Sequence, residues 1–149
     1  MPVHMEPGTG QPYSPQAVDA PFSLSPSMPN YNTKGDVTVR ILTDQGAEPL
    51  RGFALQALDG NNNAVGYWSF FDASIAQSFS CGNEGSTVLE EQDTVTHTSS
   101  ADKVADILFK WRATGDHGPV TFYAVVLQQQ STFWLMSSGV VDYSDCAFH

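Results

Sequence analysis

From Val37 onward, apolar side chains recur at every second position instead of every third or fourth, and a chain patterned this way buries one face of a strand, not a stripe of a helix. Val37, Val39 and Ile41 alternate with Thr38 and Arg40, and Phe53, Leu55 and Ala57 alternate with Ala54 and Gln56. Ile107, Phe109 and Trp111 alternate with Leu108 and Lys110, and Val120, Phe122, Ala124 and Val126 form a further series. Asp59-Gly60-Asn61-Asn62-Asn63 reads as a hairpin turn into a run from Ala64 to Phe71, because Asp-Gly and Asn tolerate positive φ. The polar tip Gln128-Gln129-Gln130-Ser131 precedes a last run from Phe133 to Val141. Helical readings are weak. Ala101 to Lys110 fits an amphipathic helix, but its β-branched residues and the phase of Trp111 favour strand. Val88 to Asp93 reads as a loop or one short turn. Successive strands at short spacing with turn residues between them predict an all-β, antiparallel sandwich.

The first 29 residues have another character. They hold seven of the nine prolines, and proline removes a backbone donor and locks φ, so this lead is expected to run extended along the body with Phe22-Ser23-Leu24 as an edge strand. Tyr31 to Asp36 reads as a turn. The resulting division is an N-terminal arm over 1–30, a sandwich over 31–142 and a tail over 143–149, within the single domain that 149 residues allow.

Composition removes several function classes. Six Lys and Arg against 16 Asp and Glu give a net charge of −10, the wrong sign for a phosphate backbone, so no nucleic-acid partner is expected. No run approaches the ~20 apolar residues of a membrane span, and the N-terminus has neither the basic stretch nor the apolar core of a signal peptide. Hydrophobic residues at 41% with aromatics at 11% describe a packed globule, not a disordered chain. No G-x-S-x-G elbow is present to mount a nucleophile. His97 reads as a strand-end residue hydrogen-bonded to backbone, and His117 as a turn residue beside Gly118-Pro119. No catalytic residue and no cofactor are therefore expected.

A few residues still stand out. Glu84, Glu90, Glu91 and Asp93 form the densest acidic cluster; it reads as a solvated loop, with weak and nonspecific Ca²⁺ binding as the metal reading. A calcium loop starting at Asp59 fails, because Ala64 and Phe70 stand where glycine and an acidic residue are needed. Tyr67 and Trp68 sit in Gly66-Tyr67-Trp68-Ser69-Phe70-Phe71, whose aromatics fall on both strand faces, which makes the two candidates for contacting a sugar ring or protein partner, against packing under the lead. Arg51, one of few cations, either pairs with an internal carboxylate or joins a ligand site, and Gly52 beside it marks a bulge or close approach. Phe53, Leu55, Phe109, Trp111 and Phe122 are the expected core. Cys81 and Cys146 fit neither a metal cluster nor a redox motif, leaving one disulfide or two thiols.

Several ordered segments resemble the reeler (reelin N-terminal) domain family: the Tyr31 to Asp36 turn followed by VTVRIL, then PLRGFALQALD, QSFSC ending at Cys81, VTH at Val95-Thr96-His97, ILFKWRA, and GPVTFYAVVLQQQSTFWLMSSG. The match in order and spacing runs from about residue 20 to residue 140. The resemblance implies an immunoglobulin-like β-sandwich of about 8–9 strands. It also implies a secreted, non-enzymatic recognition or adhesion module of the standalone defence kind. Implied partners are a microbial surface glycan or an extracellular-matrix protein. Many relatives carry an N-terminal cysteine ahead of an M-x-P segment that pairs with the one matching Cys81. Here Met5-Glu6-Pro7 matches, but no cysteine precedes it. Either that cysteine lies ahead of Met1 or Cys81 has another partner, for which Cys146 is the only choice within the chain. The alternative role is a self-assembling matrix or fibre protein that joins copies of itself through strand edges or an exchanged arm.

Overall fold

The computed structural model describes residues 22–43, 50–80, 88, 91–98, 106–129 and 132–144. Eleven strands lie among them: β1 Phe22–Pro26, β2 Asn30–Tyr31, β3 Val37–Thr43, β4 Gly52–Leu58, β5 Tyr67–Phe70, β6 Ala76–Phe79, β7 Thr94–His97, β8 Ile107–Arg112, β9 Thr121–Gln129, β10 Thr132–Ser137 and β11 Asp142–Tyr143. One sheet has the order β1-β3-β8-β5 and the other β10-β9-β4-β7-β6, with every pairing antiparallel. The short strands β2 and β11 pair in parallel at one end. Nine strands in two facing sheets match the sandwich expected from the alternation.

Burial follows the two-residue period where each sheet has one wet face. Val37, Val39 and Ile41 of β3 and Phe109 and Trp111 of β8 are fully buried, while Arg40 and Lys110 point outward. Phe53, Leu55 and Phe122 complete the inner layer, also fully buried. The core is a chain of edge-on and tilted rings. Trp111 meets Phe122 at 5.3 Å and Tyr31 at 5.4 Å, Phe53 meets Phe109 at 5.4 Å, and Trp68 touches Phe109 and Phe122 at 6.0 Å each. Each such pair contributes about 0.5–1.5 kcal/mol beyond the area it buries.

Strand β4 departs from the expected half-buried pattern. Ala54 and Gln56 face away from the core yet are also buried, Gln56 being only 8% exposed. The buried amide is satisfied, since Gln56 Nε2 donates to Thr94 Oγ1 at 2.9 Å across to β7.

The run from Ala64 to Phe71, expected as one hairpin strand, is broken. Asp59 Oδ1 accepts the amides of Asn61 and Asn63, Asn62 takes φ 62°, and Leu58 pairs with Ala64 in a single bridge. The chain then leaves that sheet for the other at Gly66, whose φ is 68°. There the Trp111 indole Nε1 donates to Val65 O at 3.0 Å. A Cβ on Gly66 would overlap the Trp111 ring and lie 2.6 Å from Arg112 O. Only glycine meets both demands, so the turn passes the chain between sheets instead of closing a hairpin within one.

Residues at both ends of the described chain join the body. Phe22 to Pro26 pairs with β3, and the Phe22 ring rests edge-on against Trp134 at 5.7 Å. Tyr143 of β11 packs on Tyr31 at 5.4 Å. The last run ends as strand at Ser137, and Val141 returns to bridge Val120. Strand β8, and not a helix, occupies most of the described part of the Ala101 to Lys110 segment. Cys81 and Cys146 lie outside the described residues, among which no helix is long and apolar enough to cross a membrane.

Replacing Gly66 with alanine combines a left-handed backbone with an overlap in the core. Urea denaturation of Gly66→Ala is expected to show a loss of about 3 kcal/mol or more, whereas Gly60→Ala, with open space around it, should stay within about 0.5 kcal/mol of wild type.

Candidate functional site

At the end of the sandwich where the Gly66 crossover lies, three loops leave a cleft of about 330 Å³ between them. Ala64, Val65 and Gly66 of the crossover, Ser80 beyond β6, Glu91 and Asp93 ahead of β7, and Thr114 and His117 between β8 and β9 line it. The first wall presents the small apolar side chains of Ala64 and Val65, with Gly66 close-packed on Trp111. The other walls carry carboxylates, hydroxyls and an imidazole, and no Lys or Arg is among the described residues that line the cleft.

The second wall is held by groups from both sheets. Trp68 Nε1 donates to Asp93 O at 3.0 Å and the Trp68 amide to Gln92 O at 3.3 Å, while Ser78 Oγ donates to Gln92 Oε1 at 2.6 Å. The Asp93 carboxylate accepts from Thr94 Oγ1 at 2.9 Å, which continues to Gln56.

The third wall hangs on one buried phenol. Tyr31 of β2 is fully buried, and its hydroxyl accepts the His117 amide at 2.9 Å and donates to Gly118 O at 2.7 Å. Gly118 takes φ 68°, and Asp116 Oδ1 accepts its amide at 2.9 Å. His117 Nε2 lies 3.1 Å from Thr114 Oγ1. Burial pushes the Tyr31 phenol above its ordinary value of 10.0, against the opposing hydrogen bond from His117, so it remains a donor at all physiological pH. Asp59, in the adjoining turn, is held below the usual carboxylate range, first by the Asn63 and Asn61 amides and more weakly by His117.

The residues singled out in the sequence scatter over this geometry. Glu91 and Asp93 line the cleft together with His117, while Glu84 and Glu90 lie outside the described residues. Among the described residues no three His, Cys, Asp or Glu side chains are grouped so as to hold a metal ion. Trp68 corrects the surface reading. Its register opposite Trp111 turns the ring into the core, where it is fully buried and offers no face to a ligand. Tyr67 is half-buried opposite Arg112 in the same pair. Arg51 is exposed at the far end of β4, with its amide bonded to Leu127 O, and does not reach the cleft. His97 ends β7 with Nδ1 taking the Phe53 amide at 3.1 Å. Its ring packs so near Gly52 that a Cβ there would lie 2.7 Å from Cε1. Gly52 therefore marks a close approach.

Comparison with known proteins places the chain and its fold. The family model for the Reeler domain matches residues 3–148. Over 122 residues the chain is 30% identical to putative defense protein 3 of Antheraea mylitta, covering 81% of this chain and 69% of that protein. Over 124 residues it is 30% identical to defense protein l(2)34Fc of Drosophila melanogaster, covering 80% and 70%. In fold it is similar to the reelin-N domain of F-spondin, with a TM-score of 0.69 at 18% identity over 89% of this chain and 93% of that one. A human F-spondin reeler domain gives a TM-score of 0.68 at 17% identity over 89% and 95%.

Removal of the Tyr31 hydroxyl tests the third wall. Tyr31→Phe is expected to cost about 1–3 kcal/mol and to speed hydrogen exchange at the His117 amide. The raised phenol also has a sign. Its stabilising effect is fully present below the ordinary value of 10.0 and is lost as pH rises through the higher folded-state value, so wild type should lose stability in that alkaline window and Tyr31→Phe should lose less of it.

Proposed function

The chain belongs to the Reeler domain family, and from that premise we propose that it is an extracellular defence protein that recognises a microbial surface glycan and performs no catalysis. The observation that supports this reading is the lining of the cleft: carboxylates, hydroxyls and an imidazole beside the apolar side chains of Ala64 and Val65, with no Lys or Arg among the described lining residues. Neutral sugars present pairs of hydroxyls that both donate and accept, and such pairs match Glu91, Asp93, Thr114 and His117 better than any anionic ligand would. The carboxylate of Asp93 and the imidazole of His117 are already oriented by Thr94 and Thr114, so little ordering is needed on binding. The defence names of two relatives, one in a moth and one in a fly, support the same role.

Titration of the intact chain with purified bacterial cell-wall glycans tests the reading. Thr114 is exposed, so Thr114→Trp fills the cleft without touching the core. It is expected to weaken binding about tenfold or more with an unchanged melting temperature, and Glu91→Lys to do the same. Equal binding by wild type and Thr114→Trp, or no binding of any such glycan by wild type, would overturn it.

A further inference from the structure

A two-sheet sandwich has four outer strands, and three of these are blunted. β1 ends in Pro26 and is flanked by Pro21 and Pro29, and β5 and β6 have four residues each, β5 being interrupted by a register shift between Trp68 and Phe70. Strand β10, the outer strand of the five-stranded sheet, has its one register shift at its very start, between Thr132 and Phe133, which leaves Phe133 to Ser137 in unbroken register with β9. It has six residues with neither charge nor proline, Thr132–Ser137. It belongs to a stretch from Gly118 to Val141 without a single Asp, Glu, Lys or Arg, in a chain whose net charge is −10.

Its backbone is aimed outward. The Ser138 amide donates to Phe122 O at 2.9 Å, and the alternation of an antiparallel ladder then turns the amides of Trp134 and Met136 toward β9 and those of Leu135 and Ser137 away from it. Leu135 is 60% exposed. Beside it on the outer face Val125, Leu127 and Phe133 form an apolar cluster separate from the inter-sheet core. Phe22 closes the inner side of this edge by packing on Trp134.

We propose that β10 pairs antiparallel with β10 of a second copy, joining two five-stranded sheets into one of ten strands about a two-fold axis. Two properties select a second copy over a foreign strand. Antiparallel pairing about a two-fold axis sets every residue opposite one from the same strand, with the central residue facing its own copy, so a strand of one charge would repel itself and an uncharged one does not. Two molecules of charge −10 repel each other across their other surfaces, and the Gly118 to Val141 hairpin is where that repulsion has no local source. A basic partner would instead be drawn to the acidic faces. The cleft lies beside β6 and β7, across the sheet from β10, so this inference does not rest on the glycan reading.

Sedimentation velocity across a concentration series, with hydrogen exchange on the same samples, tests it. Wild type should convert from monomer to dimer as concentration rises, with the Leu135 and Ser137 amides slowing in step. Leu135→Lys and Ser137→Lys, both at exposed positions, should weaken self-association about tenfold or more, and Val140→Lys, exposed on the same hairpin but off the strand, should leave it unchanged. Circular dichroism confirms that each variant keeps its strand content. A wild type that stays monomeric up to about 1 mM overturns the proposal. So does a dimer that Val140→Lys dissociates as readily as Leu135→Lys, or a Leu135 amide already slow in the monomer, since that edge would then be satisfied by the chain itself.

Discussion

The contact between the Trp111 indole and Gly66 sets where the chain changes sheets, and most of the structure follows from it. Trp111 is fully buried between Tyr31 and Phe122, and its one polar atom must find an acceptor there. It takes Val65 O, which holds the crossover down on the ring and requires a residue without a side chain at Gly66. Once that point is fixed, β5 falls beside β8, Trp68 turns inward, and the Trp68 indole reaches Asp93 O. Two tryptophans thus tie opposite sheets together through backbone carbonyls, and the cleft is the space left between the loops they anchor.

Tyr31 does for the other wall what the tryptophans do for the first two. Its hydroxyl donates and accepts within one turn, its ring joins the core, and Tyr143 covers it from β11. The parallel pairing of β2 with β11 brings the two ends of the described chain together at this point. A residue in the expected turn region is therefore a keystone of the core.

Much of the body is legible in the alternation, because β3, β8 and the first residues of β9 have one wet face and one dry one. Elsewhere a second interaction overrides the pattern. β6 and β7, reading Ala-Gln-Ser-Phe and Thr-Val-Thr-His, are too short and polar to announce themselves as strands, and they are held by pairing with each other and with β4. Gln56 looks like a surface residue until Thr94 comes to face it across the sheet. Trp68 reads as a candidate ligand contact because its sequence does not announce the bulge at Ser69, and that bulge separates the inward Trp68 from the exposed Phe70. Of the cleft, Glu91, Asp93 and His117 each attract notice singly. Their convergence depends on a topology that links positions 64, 80, 93 and 117, and no local spacing carries that information.

The strand order also has a consequence in time. Gly52 of β4 faces Leu127 of β9, roughly 75 residues later. At ordinary rates of synthesis β4 waits about 4–15 s after its own appearance before its central neighbour exists. Its apolar residues Phe53, Leu55 and Ala57 stay without their final cover during that interval, so the larger sheet of the nascent chain closes only after β9 has emerged.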